Sequence, residues 1–169
     1  MKATPYETAT AATTTVSSLV IDSPLGPIRL TGDDQYLMGI DFVDRSDTPP
    51  SAIGASSVLT EAARQLDAYF AGKLKRFNLP TLAIGSGFQM AVWKSLGRIG
   101  FATTTTYGAV ARSIGRPNAS RAVGGAIGAN PIPIVIPCHR VIGSDGSLTG
   151  YSSGLERKKI LLSHEQAVR

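Results

Sequence analysis

Between Asn130 and Cys138 the chain reads Asn130-Pro131-Ile132-Pro133-Ile134-Val135-Ile136-Pro137-Cys138. Its aliphatic residues favour a strand, but the prolines forbid a regular one. Proline fixes φ and donates no backbone hydrogen bond, so three in this run exclude a central strand. The apolar side chains still demand burial. The solution left is a buried, extended strap with a fixed path that delivers Cys138 to a defined place. Asn130 opens the strap. Its amide could tie adjacent turns together, or simply cap the preceding helix.

Cys138 is the only cysteine in the sequence, so it can form no internal disulfide. It lies in Pro137-Cys138-His139-Arg140, and a thiol beside imidazole and guanidinium can be pushed toward thiolate. A buried cysteine is otherwise a small hydrophobe. Adjacent side chains of an extended chain point to opposite faces. Cys138 and His139 therefore cooperate only if the backbone turns there or a water links them. Ser153-Gly154-Leu155-Glu156 has capping-box spacing and predicts a C-terminal helix running to about Gln166. Glu165 follows Leu162 and Leu161 by three and four positions, which aims it inward. A buried carboxylate needs a partner, and His139 would serve. The alternative places Glu165 beyond the last buried turn, solvated.

The rest of the composition narrows the class. A length of 169 residues suits one compact domain or two small ones. With 43% hydrophobic and 17% charged residues, an ordinary core is feasible. No apolar run is long enough to span a bilayer, and no signal peptide is recognisable. One cysteine without an export signal points to a reducing cytoplasm. Cysteine and histidine are too scarce for an ordinary structural zinc site, so neither metal nor cofactor is expected. Residues 1–85 carry 7 Lys+Arg against 9 Asp+Glu, whereas residues 86–169 carry 10 against 3. The basic half, which holds Cys138, suggests a polyanion partner or merely a solvated basic surface.

The expected organisation is α/β in the α+β sense. Residues 1–17, rich in Thr and Ala, predict a disordered tail. Residues 18–80 form a small N-terminal domain. Leu19-Val20-Ile21, Ile28-Arg29-Leu30 and Leu37-Met38-Gly39-Ile40, separated by turn residues, predict an antiparallel meander. A polar loop over 44–53 and a helix from Ser57 to Phe70 follow. Residues 81–85 are the expected linker. Residues 86–169 should be mostly helical, beginning with a helix from Ser86.

Two short helices in the second half, Tyr107–Ile114 and Ala119–Ala129, are joined by Gly115-Arg116-Pro117-Asn118. Thr105 or Thr106 would cap the first and Asn118 the second. This is a helix-turn-helix pattern, common also in plain helical packing. The second helix contains Ser120, Arg121, Ala122, Gly124, Gly125 and Gly128. Each interior glycine costs about 0.5–1 kcal/mol relative to alanine, which implies close approach of another surface. That surface could be a neighbouring helix or nucleic acid. The helix lacks side chains for reading base edges in the major groove, so its bare face suits the minor groove. Arg121, its one long side chain, could enter a base stack or pair with phosphate. The loop from Gly143 to Gly154, rich in hydroxyls, could wall a pocket beside the thiol.

Arg121-Ala122-Val123-Gly124-Gly125-Ala126, Asn130-Pro131-Ile132-Pro133 and Pro137-Cys138-His139-Arg140-Val141-Ile142 together resemble the O6-alkylguanine-DNA alkyltransferases, or methylated-DNA–protein-cysteine methyltransferases. The likeness continues through Tyr151-Ser152, Gly154-Leu155 and Leu162-Ser163-His164-Glu165. It is strong over residues 86–169 and holds only in outline over 18–80, where it implies a ribonuclease H-like sheet and helix. It implies a suicide repair protein that binds duplex DNA from the minor groove and flips out O6-alkylguanine, or O4-alkylthymine, moving the alkyl group irreversibly to Cys138. The protein would act as a monomer that could bind DNA cooperatively.

The resemblance also implies individual roles. His139 would act through water as the base, oriented by Glu165, with Asn130 as a brace. Tyr107 would donate a proton toward N3 of the departing guanine and also touch DNA. Arg121 would fill the gap left by the flipped base, with Ser120, Ala122, Gly124 and Gly125 lining the DNA-facing helix. The carbonyls of Cys138 and Val141 would take the guanine amino group, Ser152 would donate toward O6, and Tyr151 and Ser153 would complete the pocket. Two departures stand out: Phe101-Ala102-Thr103-Thr104-Thr105-Thr106 replaces the usual proline–glycine turn, and Ser153 replaces a common glycine. A non-catalytic binder of alkylated bases and a cysteine hydrolase are the other readings. Cys138 opposes the first, and the missing oxyanion pattern opposes the second.

Overall fold

The computed structural model describes residues 15–44 and 56–169. The chain forms two units, Met1–Ala83 and Ile84–Arg169.

In the first unit, β1 (Ser17–Ile21), β2 (Ile28–Gly32) and β3 (Leu37–Phe42) make an antiparallel sheet in the order β1-β2-β3. Ile28 and Leu30 are fully buried while Arg29 and Thr31 alternate with them on the half-exposed face. That period of two gives the sheet one apolar side. Helix α1 (Ser57–Phe70) covers it with Leu59, Ala62, Leu66 and Tyr69. Full burial of each large side chain there is worth roughly 1.5–3 kcal/mol. Ser56 caps α1 by accepting from the Leu59 N–H, and its hydroxyl donates to the Asp33 carbonyl at 2.8 Å.

The expected tail over 1–17 lies outside the described residues through residue 14, and Ser17 already opens β1. Most of the expected loop at 44–53 also lies outside them. The expected linker 81–85 is partly strand-like. Leu37 N–H donates to Pro80 O and Leu82 N–H to Leu37 O, both at 2.9 Å. The edge of β3 has unpaired backbone groups, and the segment around Thr81 satisfies them.

The second unit contains α2 (Gly87–Leu96), β4 (Thr105–Thr106), α3 (Tyr107–Ser113), α4 (Ser120–Gly128), a 3-10 turn (Cys138–Arg140), β5 (Val141–Ile142) and α5 (Leu155–Ala167). Trp93 of α2 is buried, and its indole N–H donates to the Ala126 carbonyl of α4 at 2.8 Å. Thr106 caps α3 through the Ala109 N–H. The expected Asn118 cap is absent: Ala119 starts α4 without a side-chain bond. Backbone bonds already close that turn, from Arg116 N–H to Ala111 O and from Ala119 N–H to Arg116 O, and leave Asn118 outside.

The strap is buried but not extended. Ile136 N–H donates to Ile132 O at 2.9 Å, so the chain folds back on itself. The turn runs through Ile134, at φ 73° and 1% exposed. That conformation is unfavourable for a β-branched residue, and the isoleucine side chain is packed away from water in return. The expected capping box at Ser153 does not form either. Gly154, at φ 98°, is the α5 cap. The Ser153 carbonyl accepts from Arg157 instead. A capping box forms where none was expected, between Ser86 and Gln89 at the start of α2.

Candidate active site

Cys138 opens the 3-10 turn that follows the strap and is 3% exposed. The turn supplies the change of direction that side-by-side work of Cys138 and His139 requires. Asn130 fixes the approach. Its amide donates to Ile136 O at 2.8 Å and its oxygen accepts from Ile132 N–H at 3.0 Å. Burial pushes the Cys138 thiol up to about 11, against the pull of Asn130, backbone N–H groups and Lys158.

His139 is fully buried, and its Nε2 lies 2.9 Å from Glu165 Oε1. Burial pushes the imidazole below its ordinary value, so it is neutral near pH 7. Glu165 is also fully buried. Burial alone would raise its carboxyl, but hydrogen bonds from His139 and Arg140 outweigh that and hold it well below the usual carboxylate range. An ionised carboxylate only accepts. The single imidazole proton therefore sits on Nε2, leaving Nδ1 a bare acceptor. Nδ1 has no hydrogen-bond partner among the described residues. The geometry thus presents a base with an open lone pair next in sequence to the thiol.

Glu165 holds more than the histidine. Arg140 donates from Nε at 3.0 Å to Oε2 and from NH2 at 2.8 Å to Oε1. Its third nitrogen reaches Ile99 O at 2.7 Å, and its guanidinium lies 5.7 Å from the Phe101 ring centre. Ala102 N–H donates to Oε2 at 2.9 Å. One carboxylate thus ties α5, the 3-10 turn and the bend before β4. β4 and β5 pair in parallel, Thr105 with Val141 and Thr106 with Ile142. That pairing sets Tyr107 beside the segment after Cys138.

The Tyr107 hydroxyl donates to Thr149 O at 2.8 Å and lies 3.2 Å from Gly150 O. In this geometry it serves the loop. Tyr151 is buried, and its hydroxyl has no partner among the described residues. Burial raises its phenol, and the Cys138 charge adds to this. Ser152 and Ser153 form the turn closed by Gly154 N–H to Tyr151 O. Lys158 of α5 is fully buried, with its ammonium on Val141 O at 2.6 Å and Thr149 O at 2.5 Å.

On α4, Arg121, Ala122 and Gly125 are exposed while Val123, Ala126 and Ile127 face the core. A Cβ on Gly124 would meet the Tyr107 ring at 3.8 Å, whereas one on Gly125 or Gly128 would meet nothing within 4 Å. No neighbouring helix explains those two glycines. The structure bonds His139 directly to Glu165, sets Cys138 next to it at the head of the 3-10 turn that Val141 caps, and braces the strap before the turn with Asn130. Ser120, Arg121, Ala122 and Gly125 lie on a separate, smooth helical face. Among the described residues no helix is long and apolar enough to cross a membrane, and no group of His, Cys, Asp and Glu could hold a metal ion.

Residues 87–167 match the model of the 6-O-methylguanine DNA methyltransferase DNA binding domain, and residues 17–83 match that family's ribonuclease-like domain. The chain belongs to the 6-O-methylguanine DNA methyltransferase family. A methylated-DNA–protein-cysteine methyltransferase of Methanosarcina barkeri is 51% identical over 150 residues, covering 87% of this chain and 95% of that protein. One from Mycobacterium leprae is 44% identical over 149 residues, covering 86% and 90%. The crystal structure of Mycobacterium tuberculosis OGT in complex with DNA superposes with a TM-score of 0.80 at 42% identity, covering 89% of this chain and 93% of that one. Within this methyltransferase family fold, sequence reasoning missed Arg140 and Lys158. Lys158 lies three residues before Leu161 and seven before Glu165, so the spacing that turned Glu165 inward also turned the lysine inward. Arg140 carried no periodic signal; only the turn reveals it.

Proposed function

We propose that this chain is a single-use DNA repair protein that takes the alkyl group of O6-alkylguanine in duplex DNA onto Cys138. One observation carries the reading: a buried cysteine follows a braced strap and adjoins a neutral histidine whose other nitrogen is held by an ionised glutamate. A fixed tautomer with a free Nδ1 is what a base for a thiol needs.

The step balances. Through one water, His139 Nδ1 takes the thiol proton. Sγ attacks the alkyl carbon, the S–C bond forms and the C–O6 bond breaks. Guanine leaves with its negative charge and is protonated on its ring with help from Tyr107, so the thiol proton is in effect passed to the base. The product is a thioether with no leaving group, and the protein is spent. The thiol is buried, so the base must leave the duplex, at a cost of a few kcal/mol. Arg121 on the bare face of α4 would fill the gap, with Ser120, Ala122, Gly124 and Gly125 against the minor groove. The carbonyls of Cys138 and Val141 would hold the guanine amino group, Ser152 would donate to O6, and Tyr151 and Ser153 would bound the alkyl side. O4-alkylthymine offers the same leaving-group chemistry. The DNA complex of the M. tuberculosis relative supports a DNA partner. The protein acts as a monomer in this reading.

Duplex DNA carrying O6-methylguanine, followed by peptide mass spectrometry, tests it. One methyl group per protein on the Cys138 peptide is expected. DNA bound to an unmodified thiol would overturn transfer in favour of a binding module, and repeated turnover would point to a hydrolase.

A further inference from the structure

Lys158 is a buried cation that the proposed transfer does not use. Its side chain is fully enclosed, and its ammonium donates to two carbonyls, Val141 O and Thr149 O. Those bonds use two of its three donors. The ammonium also lies 6.0 Å from the Tyr107 ring centre. Among the described residues no carboxylate pairs with it. A buried charge without a counter-charge is costly, by several kcal/mol per ion, so its retention calls for an anion.

The surrounding charges identify that anion. Glu165 and Arg140 neutralise one another, bonded at 2.8 Å. His139, between them and the thiol, is neutral. Tyr107 and Tyr151 are phenols raised by burial, hence uncharged near pH 7. Asn130 is an amide. Among the described residues around Cys138, the Lys158 ammonium has no carboxylate partner, and the group there whose ionisation would balance it is the thiol. Val141, whose carbonyl anchors the ammonium, follows Cys138 by three residues, so the clamp holds the charge beside the thiol's own segment.

We infer that Lys158 is a positioning residue whose clamped ammonium is the counter-charge of the Cys138 thiolate. Burial works against the thiolate, and Asn130 supplies only a dipole. A fixed full charge adds to that dipole in a low-dielectric site. The thiolate–ammonium pair forms as His139 takes the thiol proton, and alkyl transfer removes its negative half.

The inference rests on Cys138 being the acceptor, so its test reads ionisation rather than transfer. Cys138 is the sole cysteine, so the pH dependence of its alkylation by iodoacetamide, read by mass spectrometry, reports one group. The full chain would be titrated as wild type, Lys158→Met, Lys158→Gln and Lys158→Arg. The two neutral variants should titrate about one pH unit or more above wild type, and the arginine variant close to it. Gln keeps hydrogen-bond donors without charge, so a purely structural clamp would spare it. Unchanged midpoints in folded Met and Gln variants would overturn the counter-charge.

Coupling is reciprocal, which gives a second reading that leaves Lys158 in place. In Cys138→Ser, the Lys158 side-chain midpoint, followed by NMR on labelled lysine, should fall by a similar amount. An unmoved lysine would also overturn the inference. Absence of an alkyl group on Cys138 in the mass-spectrometric experiment would instead remove the acceptor reading.

Discussion

His139 Nε2 and Glu165 Oε1 are 2.9 Å apart with both side chains wholly enclosed, although 26 residues separate them in the chain. Arg140 shares the same carboxylate. The three side chains form one buried unit in which each charge depends on the others.

Removing the negative charge should therefore unfold more than it disarms. Glu165→Gln leaves the Arg140 guanidinium enclosed without a counter-charge, a loss of about 3–5 kcal/mol. Urea unfolding should show it. Glu165→Gln combined with Arg140→Met should cost less than the sum of the two single changes, because the partners no longer strand each other. Additive losses would mean that the two side chains act independently.

Acid should act in two stages. Burial keeps folded His139 neutral, whereas the unfolded imidazole takes a proton near 6.5. Its share of stability is complete above that pH and falls below it, by up to about 1.4 kcal/mol per pH unit. Glu165 has a lowered carboxyl in the folded state, so its share is complete above the unfolded value of 4.5 and is lost as pH falls further. Stability against pH should bend first near 6.5 and again below 4.5. His139→Gln should erase the first bend, and a bend that persists there belongs to another group.

The bare face of α4 separates stability from DNA affinity. Gly125 has no atom near its missing Cβ. Gly125→Leu should stabilise the helix by about 0.8–1 kcal/mol. It should also weaken duplex binding by about tenfold or more, about 1.4 kcal/mol. Thermal melting and a salt-controlled binding titration together decide it. Undiminished affinity would move the DNA to another face.

Ala102 sits at φ 55° while its N–H holds Glu165 and its carbonyl accepts from Gln166 at 3.0 Å. The left-handed conformation costs an alanine about 1–2 kcal/mol, and glycine gives back part of that in unfolded-state entropy. Ala102→Gly should raise stability by a net amount of about 0.5–1 kcal/mol. A lower melting temperature would show that the buried methyl group matters more than the backbone.

Much of the site was legible because it rests on composition and period. Cys138 stands alone, Glu165 falls on the inward period of α5, and Asn130 opens a run that can only be a fixed strap. Local geometry was less legible. The strap was expected to be extended, yet Ile134 turns it, because a buried turn in an aliphatic run leaves no polar marker. Ser86 and Ser153 both have capping-box spacing, but only Ser86 forms the box; at Ser153 the glycine that follows enters the helix from a positive φ. The parallel pair of β4 and β5 is two residues long and has no periodicity to read. Arg140 looked like a basic neighbour of the thiol until the 3-10 turn aimed it at Glu165.

Glu165 also orders events in time. Its partners at Ala102, His139 and Arg140 lie 63, 26 and 25 residues earlier in the chain. None of these contacts can form before α5 has been made. While the ribosome is still extending the chain, Cys138 can have neither an oriented histidine nor its lysine, because both depend on α5, the last described element to be made. The nascent protein therefore carries its thiol unprimed, and a repair protein that can react only once does not commit that reaction before it is complete.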